Sequence, residues 1–220
     1  MASGGDFPLN DANAAPLAMP SLYDVKPAFQ GLLRPGVRAL ARLGVTANQV
    51  TLAAVGLSAL GGGAVLLARG EPRWLLAVPA VLFARMALNA VDGMLAREHG
   101  MKSALGALLN ELGDVVSDAA LYLPLALLPG VDARWVVGFV LLALLSEMAG
   151  VVAVQLGTSR RYDGPLGKSD RAFVVGALAL GLGAGWLPVA WVDPVVIAAC
   201  ALTALTVLNR CRRALREAAA

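Results

Sequence analysis

Long apolar runs separated by short polar breaks set the plan of this chain, and no strand-like alternation competes with them. From Gln49 to Ala68 (QVTLAAVGLSALGGGAVLLA) no residue is charged, over a length sufficient to cross a hydrocarbon core as a helix. Further runs follow at Trp74–Met94, Ala104–Leu128, Trp135–Leu156, Ala172–Leu187 and Val189–Leu208. The pattern predicts an all-α integral membrane protein of six transmembrane helices. Trp186, Leu187, Pro188 and the Asp193-Pro194 pair blur the boundary between the last two. Ahead of the runs, between Tyr23 and Gly44, Arg34, Arg38 and Arg42 recur every four residues, with Leu33, Val37 and Leu40 supplying an apolar side. That predicts an N-terminal amphipathic helix lying in the interface, an ordinary basic flank being the alternative. Pro35 predicts two short pieces there instead of one.

The resulting division is a flexible tail over residues 1–20, an interfacial region over 21–44, one six-helix domain over 45–213 and a frayed C-terminal tail over 214–220. The first twenty residues lack a basic stretch leading into an apolar run, so no cleavable signal peptide is expected. No internal repeat or second domain is apparent.

Composition fits this plan. Hydrophobic residues make up 58% of the chain and charged ones 15%, with a mean hydropathy of +0.70, values that exclude an ordinary soluble domain. With both termini cytosolic, the inner segments hold Lys26, Arg34, Arg38, Arg42, Arg97, Lys102, Arg160, Arg161, Lys168, Arg171, Arg210, Arg212, Arg213 and Arg216. The outer loops hold only Arg69, Arg73 and Arg134, and Arg85 falls within the second run. This bias follows the positive-inside rule. The net charge of +3 therefore reflects topology and anionic lipid, not nucleic acid. Cys200 and Cys211 form no disulfide framework or metal pattern. Glycines at 61–63, 176, 181, 183 and 185 allow close helix approach in a compact bundle.

The chemistry concentrates between Arg85 and Tyr122 (RMALNAVDGMLAREHGMKSALGALLNELGDVVSDAALY). Asn89 and Asp92 share one helix face; Asn110, Asp114 and Asp118 share another. A turn at Glu98–Ser103 lets the two faces meet near the cytosolic surface. Arg85, Asp92, Glu111, Asp114, Asp118 and Glu147 all lie in or near apolar runs. Unpaired, they would cost on the order of 15–20 kcal/mol as an upper bound. Arg85 is the single intramembrane arginine for these carboxylates, so salt bridges fail on count and bound divalent cations are expected to balance the excess. Asp118 and Glu147 are each candidates to pair with Arg85.

The stretch resembles the signature of the CDP-alcohol phosphotransferases (CDP-alcohol phosphatidyltransferases): Asp, two residues, Asp-Gly, two residues, Ala-Arg, eight residues, Gly, three residues, Asp, three residues, Asp. Here Asp92-Gly93, Ala96-Arg97, Gly106 and Asp114 match at the required spacing, while Asn89 and Asn110 occupy the first and third acidic positions. Thr46-Ala47-Asn48 resembles the family's Thr-Pro-Asn segment, with Ala47 for Pro, and Gly167-Lys168 precedes the fifth run as in several members.

The resemblance implies a transfer of a phosphatidyl or other phospho-alcohol group from a CDP-activated lipid or alcohol, such as CDP-diacylglycerol, to an acceptor hydroxyl with release of CMP. It implies Mg2+ or Mn2+ at Asn89, Asp92, Asn110 and Asp114, with Glu111 and Asp118 as compensating ligands. An amide carbonyl ligates a hard cation without charge, so affinity should fall. Glu111 is rotated about 100° from Asn110, and Asp118 lies about 6 Å beyond Asp114 along the helix. Gly93, Ala96 and Gly106 would give the nucleotide room, Arg97 would contact its phosphates, and Asp114 would take the acceptor's proton. Lys102, Arg160, Arg161, Lys168 and Arg171 lie on the same side. They either bind a phosphate on the acceptor or only carry topological charge. His99 has no ligand partner and receives no role. Membrane lipids as surroundings, a homodimer and a bacterial inner membrane are implied by the resemblance too. The two Asn favour, as an alternative, a binding-only protein. A transporter fits less well, because the acids cluster at one face.

Overall fold

The computed structural model describes residues 22–219, so the expected tail over residues 1–20 lies outside the described residues. Every regular element among them is helical. Seven α-helices follow in order: α1 (Leu22–Arg42), α2 (Ala47–Leu67), α3 (Ala77–Glu98), α4 (Ala104–Tyr122), α5 (Ala133–Val152), α6 (Lys168–Gly183) and α7 (Val192–Ala218).

The amphipathic pattern between Tyr23 and Gly44 folds as one continuous helix, correcting the expected break at Pro35. Pro35 removes the bond its N–H would donate to Gly31, but both residues lie on the exposed side of α1. The freed carbonyl therefore remains open to solvent or headgroups, and the helix runs on. Its apolar side is the expected one. Val37, fully buried, packs with Leu33 and Leu40 against Ala47, Val50, Val91, Met94 and Leu95. Arg34 reaches across to Glu98, donating at 2.9 and 3.2 Å, and so ties α1 to the end of α3.

The start of α2 explains the Thr46-Ala47-Asn48 segment locally. Thr46 accepts from the Gln49 N–H at 3.3 Å, and the Gln49 side chain accepts from the Thr46 N–H at 2.9 Å. This is a capping box, which fixes the first turn without Pro. Helix α2 then packs along both α3 and α4. Two glycines permit it: a Cβ on Gly61 would meet Leu121 Cδ1 at 2.6 Å, and one on Gly62 would run into the Ala120 carbonyl oxygen. Helices α5 and α7 pair on the other side, and α6 leans on α3. The common core includes Val65, Val78, Leu121, Tyr122, Phe139 and Val175, with Tyr122 stacked on Phe139 at a centroid distance of 5.8 Å.

Among the described residues, four helical segments are long and apolar enough to cross a membrane: Ala47–Leu67, Pro72–Glu98, Ala133–Leu156 and Val189–Ala218. Helix α4 carries Asn110, Glu111, Asp114 and Asp118. Helix α6 has 16 residues, about 24 Å at 1.5 Å per residue. These two helices depart most from a plain apolar span, while Arg85 and Asp92 on α3, Glu147 on α5 and Arg210 on α7 put further ionic groups on the long apolar ones. The blurred region after α6 is a turn, with Gly185 at φ +72° and both Trp186 and Leu187 donating to the Gly181 carbonyl. At the other end of the chain, α7 runs to Ala218 and absorbs most of the segment expected as a tail. Glu217 accepts there from the Ser159 N–H at 2.8 Å.

Candidate active site

Helix α3 ends at His99, and Gly100 at φ +69° turns the chain back. Ser103 caps α4 by accepting from the Gly106 N–H at 2.9 Å. The two motif halves thereby face one cleft of about 660 Å³, lined by Asn48, Thr51, Asp92, Gly93, Ala96, Arg97, Lys102, Gly106, Asn110 and Glu111 among others. Asp92 is 5% exposed, and its Oδ2 accepts from the Thr51 hydroxyl at 2.9 Å. The Arg97 guanidinium folds back over Gly93, where a Cβ would lie 3.1 Å from it. Gly106 makes room for a neighbour on α2: a Cβ there would meet Asn48 Oδ1 at 2.8 Å. Thr51 and Asn48 are the site residues that motif reading on α3 and α4 passes over. Their signal was the Asn48 of the segment that opens α2, and a Thr three residues further on.

Asp114 lies one turn beyond Asn110. Its Oδ1 takes the Lys168 ammonium in a direct ion pair, the Asn89 amide at 3.4 Å and the Arg85 guanidinium at 3.6 Å. Those three residues also form the polar end of a second cavity, an apolar groove of about 700 Å³ between α3 and α6, whose walls include Phe83, Met86, Phe173 and Leu180. Asn89 and Asp92 therefore serve different spaces: Asp92 faces the cleft, Asn89 the groove.

The other charges form a network that corrects the expectation of excess carboxylates. Arg171 and Arg210, placed by sequence at cytosolic edges, are 0% and 2% exposed inside the bundle alongside Arg85. Arg85 donates to Asp118 Oδ1 at 2.6 Å; Arg171 reaches Asp118 at 3.3 Å and Glu147 at 2.8 Å. Arg210 lies 3.6 Å from Glu147 and donates to the Ser146 carbonyl. Arg160 pairs with Glu111 at 2.6 Å, approaches Glu147 at 3.5 Å and rests over the Tyr162 ring. Five cations thus meet the acids, and the count no longer requires metal. Long basic side chains near helix ends reach inward as readily as outward, which a linear topology count overlooks. Glu111 and Asp118, the expected compensating ligands, are both engaged by arginine. Arg161 is turned away to Asp163 at 2.8 Å and to Glu217, and Arg171 lines neither cavity.

Asp92 is the exception. No cation pairs with it among the described residues, and no group of three or more His, Cys, Asp or Glu there is placed to hold a metal. Outside the spans, burial would push the Asp163 carboxyl up, but Arg161 and Arg213 outweigh it and hold it below the ordinary range.

The chain matches the CDP-alcohol phosphatidyltransferase family model over residues 44–208. The chain belongs to that family. It is 46% identical over 197 residues to the inner membrane protein YnbA of Escherichia coli (strain K12), covering 89% of this chain and 96% of that one. Over 104 residues it is 36% identical to the phosphatidylinositol phosphate synthase of Corynebacterium glutamicum, covering 47% of this chain and 45% of the synthase. The Mycobacterium tuberculosis phosphatidylinositol phosphate synthase bound to manganese and citrate has the same fold, with TM-score 0.65, 22% identity and coverage of 82% of this chain and 88% of that one. The same enzyme with CDP-DAG bound gives TM-score 0.59 and 24% identity, covering 84% and 92%.

Proposed function

We propose that this family member transfers a phosphatidyl or related phospho-alcohol group from a CDP-activated lipid, CDP-diacylglycerol or a similar CDP-alcohol, to an acceptor hydroxyl, with release of CMP. The observation that carries the reading is the placement of Asp114. It is held on Oδ1 by Lys168, Asn89 and Arg85 at the polar end of an apolar groove. One helical turn away, Asn110 lines a polar cleft together with Asp92 and Arg97. A polar cleft beside a lipid-sized apolar groove suits a substrate with a nucleotide head and acyl tails.

In this reading Arg97 and Lys102 hold the diphosphate, with Gly93 and Ala96 letting it approach α3 and Asn48 lying against Gly106. Asp92 and Asn110, which line the cleft together, are the residues that would hold Mg2+ or Mn2+; Asn89, expected beside them, faces the groove, and Asp114 is taken by Lys168. The donors of Asp92 and Asn110 are oxygens that hard divalent cations accept, and Asp92 is a buried carboxylate without a cation partner. Such an ion would supply charge neutralisation at the diphosphate. Asp114 Oδ2, which carries none of the three contacts, takes the proton from the acceptor hydroxyl. The acceptor oxygen bonds to the β-phosphorus, the bond from that phosphorus to the bridging oxygen breaks, and CMP departs with the bonding pair. Arg160 would bind an acceptor phosphate only by exchanging its Glu111 partner for it; Arg161 and Arg171 contribute by fixing the loop and the bundle.

Six spans, cytosolic termini and cytosolic active site, a bacterial inner-membrane location and a homodimer complete the proposal. The positive-inside bias supports the orientation, and the long apolar helices support the membrane location. A second reading, CDP-lipid binding without turnover, is favoured by Asn89 and Asn110 standing where the family carries acids. Purified protein supplied with CDP-diacylglycerol, Mg2+ or Mn2+ and a panel of glycerol phosphate, inositol phosphate, inositol and serine separates the two. CMP release with one acceptor supports transfer. Nucleotide binding with no CMP from any acceptor supports the second reading.

A further inference from the structure

The two sides of the site are not equally charged. Among the described residues, Asp92 meets only neutral donors, its side-chain partner being the Thr51 hydroxyl at 2.9 Å. Asp114 meets cations: the Lys168 ammonium directly and the Arg85 guanidinium at 3.6 Å. Arg85 is committed more closely to Asp118, at 2.6 Å, which leaves Lys168 as the charge that belongs to Asp114. The polar groups contributed beside these carboxylates, Asn89 and Asn110, are amides and add no negative charge.

Lys168 is held for this position. It is the first residue of α6, directly after Gly167, whose N–H donates to Asp170 at 2.8 Å and fixes the start of the helix. Only its flexible stem then has to span the gap to α4, and its side chain stays 29% exposed at the groove's polar end. An ammonium has three donors, so one can bind Asp114 while the others face an incoming phosphate.

We infer that Lys168 is a built-in cation serving the Asp114 half of the site, so that the chain takes one divalent ion, centred on Asp92 and Asn110, and no second one. A dication beside Asp114 would be repelled by the ammonium already paired with that carboxylate, whereas no cation stands beside Asp92 among the described residues. Lys168 instead bridges Asp114 to the diphosphate, doing with one fixed charge what a second ion would do. The inference rests on the proposed nucleotide site, and it makes Lys168 a phosphate-binding residue of the Asp114 half.

The full chain in detergent is titrated with Mn2+ in the presence of CDP, with free Mn2+ followed by electron paramagnetic resonance. CDP affinity is measured in parallel at saturating Mn2+. One bound Mn2+ per chain is expected. Lys168→Gln should leave that count at one but weaken CDP by about tenfold or more, the loss of a charge-assisted contact. Lys168→Arg should restore CDP binding to within about threefold. Two Mn2+ per wild-type chain, or a Lys168→Gln protein that binds CDP within about twofold of wild type, overturns the inference while leaving the transferase reading in place. Absence of CDP binding by the wild type at any Mn2+ concentration overturns both.

Discussion

The Arg85 guanidinium donates to the Asp118 carboxylate at 2.6 Å, with both side chains buried between α3 and α4. Arg171 approaches the same carboxylate from α6, so Asp118 joins three helices at one point. Asp118→Leu leaves two buried guanidinium groups short of a partner and is expected to destabilise the protein by about 3–5 kcal/mol. Arg85→Met combined with Asp118→Leu should recover part of that loss, since the uncompensated charge is reduced. Thermal unfolding of the detergent-solubilised variants reads the difference directly.

Thr51 acts on the site through Asp92. Thr51→Val keeps the shape of the side chain but removes the hydroxyl that donates to Asp92 Oδ2. Hydrogen bonds to charged groups contribute about 1.5–3 kcal/mol, so kcat/KM for CMP release should fall about tenfold or more. Thr51→Ser should retain activity. A fall in melting temperature that tracks the loss of activity would show instead that Thr51 serves only the fold.

Adjacent glycines on α2 should respond oppositely. A Cβ on Gly62 collides with the Ala120 carbonyl, whereas one on Gly63 meets nothing within 4 Å. Gly62→Val is expected to push α2 from α4 at a cost of about 1–3 kcal/mol or more. Gly63→Ala should be neutral or mildly stabilising, because alanine is the better helix former. Equal melting temperatures for the two variants would contradict the close contact of α2 and α4.

Much of this was legible in the sequence, and for identifiable reasons. Charge-free runs announce helices because a bilayer leaves backbone groups no other partner, and fixed spacings on α3 and α4 bring Asp92 and Asn110 to one cleft. The ion-pair network was not legible. Arg171 and Arg210 lie 53 and 92 residues from Asp118 in sequence, and nothing local signals that their side chains turn inward. Pro35 misled for a related reason: whether a missing hydrogen bond breaks a helix depends on which side of α1 faces outward, a property of the packed structure.

Asp163 offers a test by pH. Arg161 and Arg213 hold its carboxyl below the ordinary range despite partial burial, at 2.8 and 2.6 Å. The folded-state pKa is depressed, so the stabilisation is fully present above the unfolded carboxylate value near about 4. It fades as pH falls through the folded value. Asp163→Asn should therefore lower the melting temperature at neutral pH, with the gap to wild type closing as the pH is lowered below about 4. A gap independent of pH would mean that the Asp163 charge contributes nothing to the fold.

The most direct test follows the β-phosphorus. CDP-diacylglycerol labelled with 32P at that atom is given to the purified protein with Mn2+ and the acceptor that supports CMP release. The account predicts label in a new acceptor-linked phospholipid, unlabelled CMP in equal amount, and loss of both products in Asp114→Asn. Label appearing in phosphatidic acid with no acceptor product, or undiminished transfer by Asp114→Asn, would contradict it.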